Sequence, residues 1–383
     1  MISAFRLLRA PLAAVVLAVT FAGSAAAADV FTVRGIHVDK SADSATAARA
    51  AAQAEGQRLA LTAMMKKLTL PEDWASLPEV DDSTAQNAVR GFQVASEKTS
   101  STRYIAEMIV SFQPEAVRRL LRNAGIPFGE TQARPAVLLP VLRRDGELLL
   151  WEEANPWRSA WASLEPGDEL TPLILPIGEI MEMNTVPAGT AVSTDEAAQA
   201  ALSDLAANYG TSEVVVAEAS MTGDSLQVTV ARRGGPVASE SLRGTYERQG
   251  RDDAELMKAA AADMLSSLAV QWKRQIIVRD GTLSTLTAQA DFVNLSDWET
   301  IRKGLTSIPL VQGMEVSGIS SRAAEIRISH KGTAEMLALS LAQQNVELSA
   351  DEAQVASGET AAPVDPFALP TSRAPRWHLS VLR

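Results

Sequence analysis

The chain alternates between two apolar periodicities, and this alternation limits the folds that it can adopt. Residues 104–112 place Tyr, Ala, Met, Val and Phe at every second position, which is typical of a strand with one buried face. Residues 48–68 instead repeat apolar side chains at the three-to-four-residue spacing of a helix. Because strand-like and helix-like segments alternate along most of the chain, they predict sheets with helices packed against them, in an α+β or α/β arrangement of several modules.

The first predicted module covers residues 29–134 and has the order βαββα. Alternating apolar residues in its second half predict a hairpin, and Pro114 opens a helix at a position where its missing N–H costs nothing. Asp43 or Ser44 is placed to cap the long helix. The predicted elements are a strand near 31–38, an alanine-rich helix ending near Leu68, an irregular polar stretch over 71–88, two hairpin strands over 91–98 and 102–112, and the helix from Pro114.

The second predicted module covers residues 135–276 and is an α/β layer with a mixed sheet. The apolar runs at 136–142 (AVLLPVL) and 213–219 (EVVVAEA) are candidates for buried strands. The segments 195–209 and 252–273 have helical spacing. Thr194 is expected to cap the first helix, and Asp252 and Asp253 fit the cap and the dipole at the start of the second. Strands and helices therefore alternate in this module as well.

The third predicted module, over residues 277–349, reads β-α-β-β-α-β, which is the ferredoxin-like order. The tail over 350–383 is rich in Ala, Pro, Glu, Asp and Ser, and this composition predicts disorder. Apolar residues return at Trp377, Leu379 and Val381. The end of the tail therefore either adds an edge strand or serves as a short binding peptide.

The first 28 residues have the three parts of a secretory signal peptide. Arg6 and Arg9 precede an apolar stretch of about a dozen residues, and a run of small residues ends at Ala28. We expect cleavage after Ala28 or one residue earlier, and release into the periplasm. An uncleaved anchor is the alternative, although a spanning helix needs about 20 apolar residues.

Composition narrows the range of partners and cofactors. The net charge is −11, and the expected signal peptide removes two arginines and no acid, so an acidic mature chain repels nucleic acid. The chain has no cysteine and three histidines, which argues against thiol chemistry, lipid attachment at cysteine and a metal site. We therefore expect no cofactor, no metal and no transmembrane span in the mature chain.

Neither a phosphate-binding loop, a nucleophile elbow, a dinucleotide fingerprint nor a zinc-protease pattern occurs in the sequence. The adjacent acids at 81–82, 152–153 and 252–253 could act as paired carboxylates across a cleft. Their places in a loop, after a strand and at a helix start favour structural roles instead. Whether the protein is an enzyme stays open, with the balance against it.

Trp151, Trp157 and Trp161 form the densest aromatic cluster in the chain. Trp157 and Trp161 are four residues apart and would share one face of a helix. They could bind a partner or a sugar, or they could close a core against a sheet. These three residues are the candidate partner or ligand surface.

Several motifs carry a family resemblance. They are A-R-x-x-A at Ala48–Ala52, R-Y-x-A-x-x-x-V-x-F at Arg103–Phe112 and P-E-A-V-x-x-L-L-x-x-A-G-I-P at 114–127. Over roughly residues 30–275 the chain resembles an uncharacterised exported bacterial family catalogued as domain of unknown function 2066. The resemblance implies no activity, cofactor or catalytic residue.

These observations lead to two main hypotheses about function and to a third, a carrier for a small apolar ligand, which would need an enclosed apolar cavity. The first is a non-enzymatic protein of the cell envelope that acts through protein–protein interaction, because small α/β modules follow one another without a catalytic signature. The alternative is a hydrolase or binding protein directed at the cell wall or at glycans, which would use a cleft between modules. A binding surface would be apolar and exposed, whereas a hydrolase needs two acids facing a cleft.

Overall fold

A computed structural model describes residues 30–165, 169–234, 241–279, 283–350 and 377–382 of the chain. It contains three sheets, and we refer to each sheet with its packed helices as the first, middle and third unit. The multi-module α/β architecture is therefore confirmed, whereas the exact domain boundaries stay predictions. Among the described residues, no helix is both long and apolar enough to cross a membrane. The predicted signal peptide lies outside the described residues.

The first unit has the predicted βαββα order with one additional short helix before β2, and in its antiparallel sheet β3 lies between β1 and β2. Its third strand is buried at every second residue from Tyr104 to Phe112, as the alternation predicts. The elements are β1 (Thr32–Ser41), α1 (Ala45–Leu68), α2 (Asp82–Ala88), β2 (Val89–Thr99), β3 (Arg103–Phe112) and α3 (Pro114–Asn123).

Helix α1 packs closely on this sheet because of one glycine. A Cβ atom at Gly56 would lie 2.4 Å from the sulfur of Met108 and 3.1 Å from Val38 Cγ1, so a larger residue would require these side chains to move. At the start of α1, Ser44 accepts a hydrogen bond from the Ala47 amide, so Ser44 is the cap.

The prediction of an irregular stretch over 71–88 was wrong in part. This stretch holds a 3₁₀ helix at Pro71–Ser76 and then α2, capped by Asp81.

The middle unit has a mixed sheet in the order β5-β4-β7-β8-β9, with β6 pairing to β4. Strand β4 is buried on both faces, since its alternate residues join two separate cores. Its elements are β4 (Ala136–Arg144), β5 (Glu147–Leu149), α4 (Pro156–Ala162), β6 (Leu173–Ile174), α5 (Ile180–Thr185), α6 (Ala188–Val192), α7 (Glu196–Asn208), β7 (Glu213–Thr222), β8 (Ser225–Gly234), β9 (Leu242–Glu247) and α8 (Asp253–Ile276).

The third unit has the predicted βαββαβ order and one additional strand. Its elements are β10 (Leu283–Asp291), α9 (Leu295–Ser307), β11 (Val311–Ile319), β12 (Ala323–Lys331), α10 (Ala334–Ala342), β13 (Val346–Ala350) and β14 (Trp377–Val381). The sheet order is β11-β12-β10-β14-β13, so the last strand of the chain lies inside the sheet rather than at its edge. Most of the predicted disordered tail, residues 351–376, lies outside the described residues.

Helix α8 connects the middle unit to the first. Its N-terminal turns contribute to a core of the middle unit, whereas Trp272 and Ile276 belong to the core of the first. Between them, the buried ammonium of Lys273 donates to the carbonyls of Lys66, at 3.1 Å, and Thr69, at 2.5 Å. These carbonyls lie at the C-terminal end of α1, where a positive charge is favourable.

A second cation joins the third unit to the rest of the chain. The Arg134 guanidinium donates from Nη2 to the Ala342 carbonyl, at 2.6 Å, and to Asn345 Oδ1, at 2.8 Å. The Arg134 amide also donates to Gln343 Oε1 at 2.6 Å. Ala342 ends α10, so the third unit is likewise held by a cation at the C-terminal end of a helix.

We expect Lys273→Met to lower the free energy of unfolding by about 2 kcal/mol, because two carbonyls lose their charged donor. Chemical denaturation of the full chain measures this. The matched control is Lys258→Met, which removes an exposed lysine from the same helix and should change stability by less than about 0.5 kcal/mol.

The same pair of proteins tests the pKa of the buried amine. Burial lowers the pKa of Lys273 from 10.5 to about 8. Between these values the unfolded chain binds more protons than the folded one, so stability rises with pH in that window. The difference between wild type and Lys273→Met should therefore widen from pH 8 to pH 10. A difference that narrows would contradict the assignment.

Candidate functional site

The structure places two of the three candidate tryptophans inside a core. Trp157 and Trp161 are fully buried between α4, α8 and the middle sheet, and their rings meet edge to face with centroids 5.6 Å apart. Trp157 Nε1 donates to the Ala217 carbonyl at 2.8 Å. This geometry supports a packing role. Their use as a partner surface stays a prediction that would require this core to open.

Trp151 lies at the surface, on the opposite face of the middle sheet. Its side chain is half-buried and donates from Nε1 to the Val186 carbonyl at 2.8 Å. The loop that follows β6 passes directly over the ring at Gly178, which has φ of 84°. A Cβ there would lie 3.4 Å from Trp151 Cε3, which is an ordinary contact, so the backbone conformation rather than the space favours glycine.

This loop and the start of α5 expose an unusual set of large apolar side chains. Ile177, Ile180 and Met181 are each 76% exposed, and Met183 is 39% exposed. We refer to these four residues as the apolar loop surface. Single exposed apolar residues are common on proteins, whereas several within seven residues mark a contact surface. Methionine also adapts its shape to different partners.

A buried carboxylate holds the loop in place. Glu182, which is 9% exposed, accepts hydrogen bonds from the amides of Gly178, at 2.9 Å, and Glu179, at 2.8 Å. The Tyr209 hydroxyl donates to its other oxygen. Burial, followed by the contact with Glu182, raises the pKa of Tyr209 to about 12. The apolar side chains are therefore presented on a backbone that hydrogen bonds fix from below.

Arg158 supports the loop from the other side. Its Nη2 donates to the Pro176 carbonyl, and its guanidinium lies 5.9 Å from the centre of the Trp151 ring. Burial lowers the pKa of this arginine, while the charge of Glu182 acts in the opposite direction. Its Nη1 is buried and has no hydrogen-bond partner among the described residues. Together with Glu182, Arg158 forms a polar base beneath an apolar surface.

Three exposed acidic residues are near the apolar loop surface, or near Trp151, in sequence. Glu152 and Glu153 directly follow Trp151 and are exposed. Glu179 is exposed within the loop itself, between Ile177 and Ile180. Exposed carboxylates that are near the apolar residues or near Trp151 in sequence favour a partner with basic groups next to an apolar segment.

Sequence reasoning missed this surface. Residues 173–177 (LILPI) are one apolar run in the sequence, but β6 ends at Ile174 and the short helices α5 and α6 follow. The available signal was the group Pro176, Ile177 and Gly178, since Pro and Gly interrupt a strand. Apolar residues beyond such an interruption are candidates for exposure.

A second candidate is the cleft between the first and middle units. It has a volume of about 760 Å³, and Trp74 and Lys273 are among its lining residues. The Nζ atoms of Lys66 and Lys273 lie 5.3 Å and 5.9 Å from the Trp74 ring centre. Since Lys273 already donates to two carbonyls, it acts first as a structural contact. The cleft also holds the carboxylates of Glu107, Glu165 and Glu169.

The histidines do not assemble a metal site. His37 is exposed, His330 is buried in the third sheet, and His378 Nδ1 lies 3.0 Å from Asp291 Oδ2. No group of three or more His, Cys, Asp or Glu within the described part of the chain is arranged to hold a metal ion. The expected absence of a cofactor stays a prediction.

Comparison with known proteins gives one match. Residues 31–130 match a family described as a domain of unknown function, DUF8605. No curated protein matches the chain. The first unit thus contains an uncharacterised domain, as the resemblance implies, but the matched family is not number 2066. The match ends before the apolar loop surface begins.

We expect Tyr209→Phe to loosen the loop, because Glu182 loses its hydroxyl donor within a buried site. Stability should fall by about 1–2 kcal/mol, and the amides of Gly178 and Glu179 should exchange hydrogen faster. Amide hydrogen exchange followed by mass spectrometry measures the second effect.

The matched control is Tyr246→Phe, whose hydroxyl donates at 2.6 Å to Asp263 on α8, far from this loop along the chain. It should leave exchange at residues 178–179 unchanged. Equal exchange in both variants would show that Tyr209 does not fix the loop.

Proposed function

We propose that this protein acts by binding another protein through the apolar loop surface, without catalysing a reaction. The observation that carries the proposal is the exposure of Ile177, Ile180 and Met181 on a hydrogen-bonded base. A folded chain gains nothing by exposing these side chains, whereas a partner that covers them removes their surface from water.

The fixed backbone of the loop supports a binding role. Association loses free energy when a loop must become ordered, and this loss is smaller when the loop is already held. Glu182, Tyr209 and Arg158 hold this one before any partner arrives. Trp151 lies beneath the loop, next to Gly178, and extends the apolar area at its margin.

The acidic surroundings define the chemistry of the partner. Glu152 and Glu153 follow Trp151 in the chain and Glu179 lies within the loop; all three are exposed and would meet lysines or arginines on the partner. We propose an apolar segment flanked by basic residues as the bound element. The negative net charge of the chain, −11, would add long-range attraction to such a partner.

The location that we propose is the periplasm, and the partners are proteins of the cell envelope. The support comes from residues 1–28, with their two arginines, apolar stretch and small residues before Asp29.

One observation favours a second function. The cleft of about 760 Å³ combines an aromatic side chain, Trp74, with the carboxylates of Glu107, Glu165 and Glu169. Its size is suitable for a small ligand or a short glycan. A role in binding or hydrolysing cell-wall glycans would use this cleft rather than the buried Trp157 and Trp161.

Selection from a random peptide library against the full chain tests the proposed partner chemistry. We expect enriched peptides with an apolar centre and basic flanks. The triple variant Ile177→Ser, Ile180→Ser, Met181→Ser should weaken their binding at least tenfold, which is about 1.4 kcal/mol, in a titration by fluorescence anisotropy.

The matched control replaces three other exposed apolar residues, Leu283, Val293 and Leu295, with serine and should bind as wild type does. The double variant Glu152→Lys, Glu153→Lys should shift the preference towards acidic flanks. Equal binding by the triple variant and wild type would refute the proposed surface. Binding lost only in Trp74→Ala would favour the cleft.

The proposed address makes a separate prediction. Protein recovered from the periplasm of an expressing bacterium should begin at Asp29, or at Ala28 if cleavage occurs one residue earlier. N-terminal sequencing and intact mass measure this. A chain that still begins at Met1 in the membrane fraction would support the uncleaved anchor instead.

A further inference from the structure

The last strand of the chain occupies an internal position in the third sheet. Strand β14 pairs in parallel with β10, from Ala288↔Trp377 to Ala290↔Leu379. On its other side it pairs antiparallel with β13, from Val346↔Val381 to Ala350↔Trp377. It thus separates two strands that pair directly in the usual ferredoxin-like sheet. We refer to the space between β10 and β13 as the strand slot.

A few residues of β14 and the residue after it make the contacts in the strand slot. Leu379 is fully buried in the core of the third unit, and Trp377 and Val381 pack against that core. His378 Nδ1 lies 3.0 Å from Asp291 Oδ2, and the Leu382 amide donates to the Asn345 carbonyl at 2.9 Å. The slot therefore recognises a short strand with apolar residues at alternate positions.

The connection to β14 is much longer than the pairing requires. Ala350 and Trp377 are partners in register, and a hairpin joins such partners with two to five residues. Here 26 residues, 351–376, intervene. Four of them are prolines, which lack the N–H that a continued ladder needs. Fully extended, 26 residues span up to about 86 Å, which is more than the width of a small domain.

A connection of this length allows the strand to reach the same slot in another molecule. Every contact that β14 makes with β10 and β13 would be reproduced there, because the two slots are identical. Two copies that exchange strands form a closed pair in which each contact occurs twice. No new interface is needed for this exchange.

We propose that β14 is a detachable strand and that two copies of the chain exchange it, so that residues 377–382 of each copy occupy the strand slot of the other. The long connection keeps the strand near its own slot at an effective concentration in the millimolar range, so the closed monomer predominates in dilute solution. Exchange becomes more frequent as the protein concentration rises. The strand slot belongs to the third unit, whereas the apolar loop surface belongs to the middle unit.

Introduced cysteines test this in the full chain, which has no cysteine of its own. Glu347 and Ser380 are partners in register, and both side chains lie outside the core. We would mix chains carrying only Glu347→Cys with differently tagged chains carrying only Ser380→Cys. After mild oxidation, a disulfide between them forms efficiently only where the strand of one copy lies in the slot of the other.

The expected result is a covalent pair of differently tagged chains, at least tenfold more abundant than in a matched control and increasing with protein concentration. The control mixes Ser380→Cys with Glu315→Cys, an exposed position on β11 at the far edge of the same sheet. This mixture measures random collision between cysteines.

The double variant Glu347→Cys, Ser380→Cys completes the design. It should form a disulfide within one chain in dilute solution, which verifies the register of β14. Formation of this internal disulfide together with no excess of the mixed pair over control would overturn the exchange. Absence of the internal disulfide would overturn the assignment of β14 to the slot.

Discussion

The arrangement of the units depends on one buried ammonium group. Lys273 lies on α8 between the part of this helix that packs in the middle unit and the part that packs in the first. Its Nζ donates to two carbonyls at the end of α1, which orients one long helix against the other. Residues of both helices, including Lys66 and Lys273, line the cleft beside Trp74. Arg134 fixes the third unit through the same kind of contact, a cation that donates to a carbonyl at the C-terminal end of a helix, here α10.

The apolar loop surface inverts the usual distribution of side chains. In most proteins, carboxylates face water and large apolar side chains lie inside. Here the carboxylate of Glu182 is buried and Ile177, Ile180 and Met181 are exposed. The inversion is stable because the carboxylate has two amide donors and one hydroxyl donor, so little hydrogen bonding is lost on burial. A buried charge with this many donors fixes a backbone more firmly than apolar contacts alone would.

Sequence patterns predicted the fold well where the information is local. Two predicted strands are present in the structure, one with alternating apolar residues from Tyr104 to Phe112 and one with the apolar run at 136–142. They were predictable because the pattern of adjacent residues shows whether one or both faces of a strand are buried. The candidate surface was not predictable in the same way. Ile177 and Trp157 are both apolar residues next to a turn or helix start, and only the folded chain shows that one is exposed and the other buried. Glu182 and Tyr209, whose hydrogen bond holds the loop, are 27 positions apart in the sequence. A contact over this separation leaves no periodic pattern from which it could be predicted.

The position of β14 has a consequence for folding. Strand β14 enters the third sheet between β10 and β13, so the sheet is complete only after residues 377–381 are available. Until then β10 and β13 each have a free edge, and direct pairing between them is the competing arrangement. The pairing of β14 with β13 is local in space but separated by 26 residues in sequence, which slows its formation relative to a tight hairpin. Burial of Leu379 then favours the inserted strand over the competing sheet, because direct pairing would leave that side chain in water.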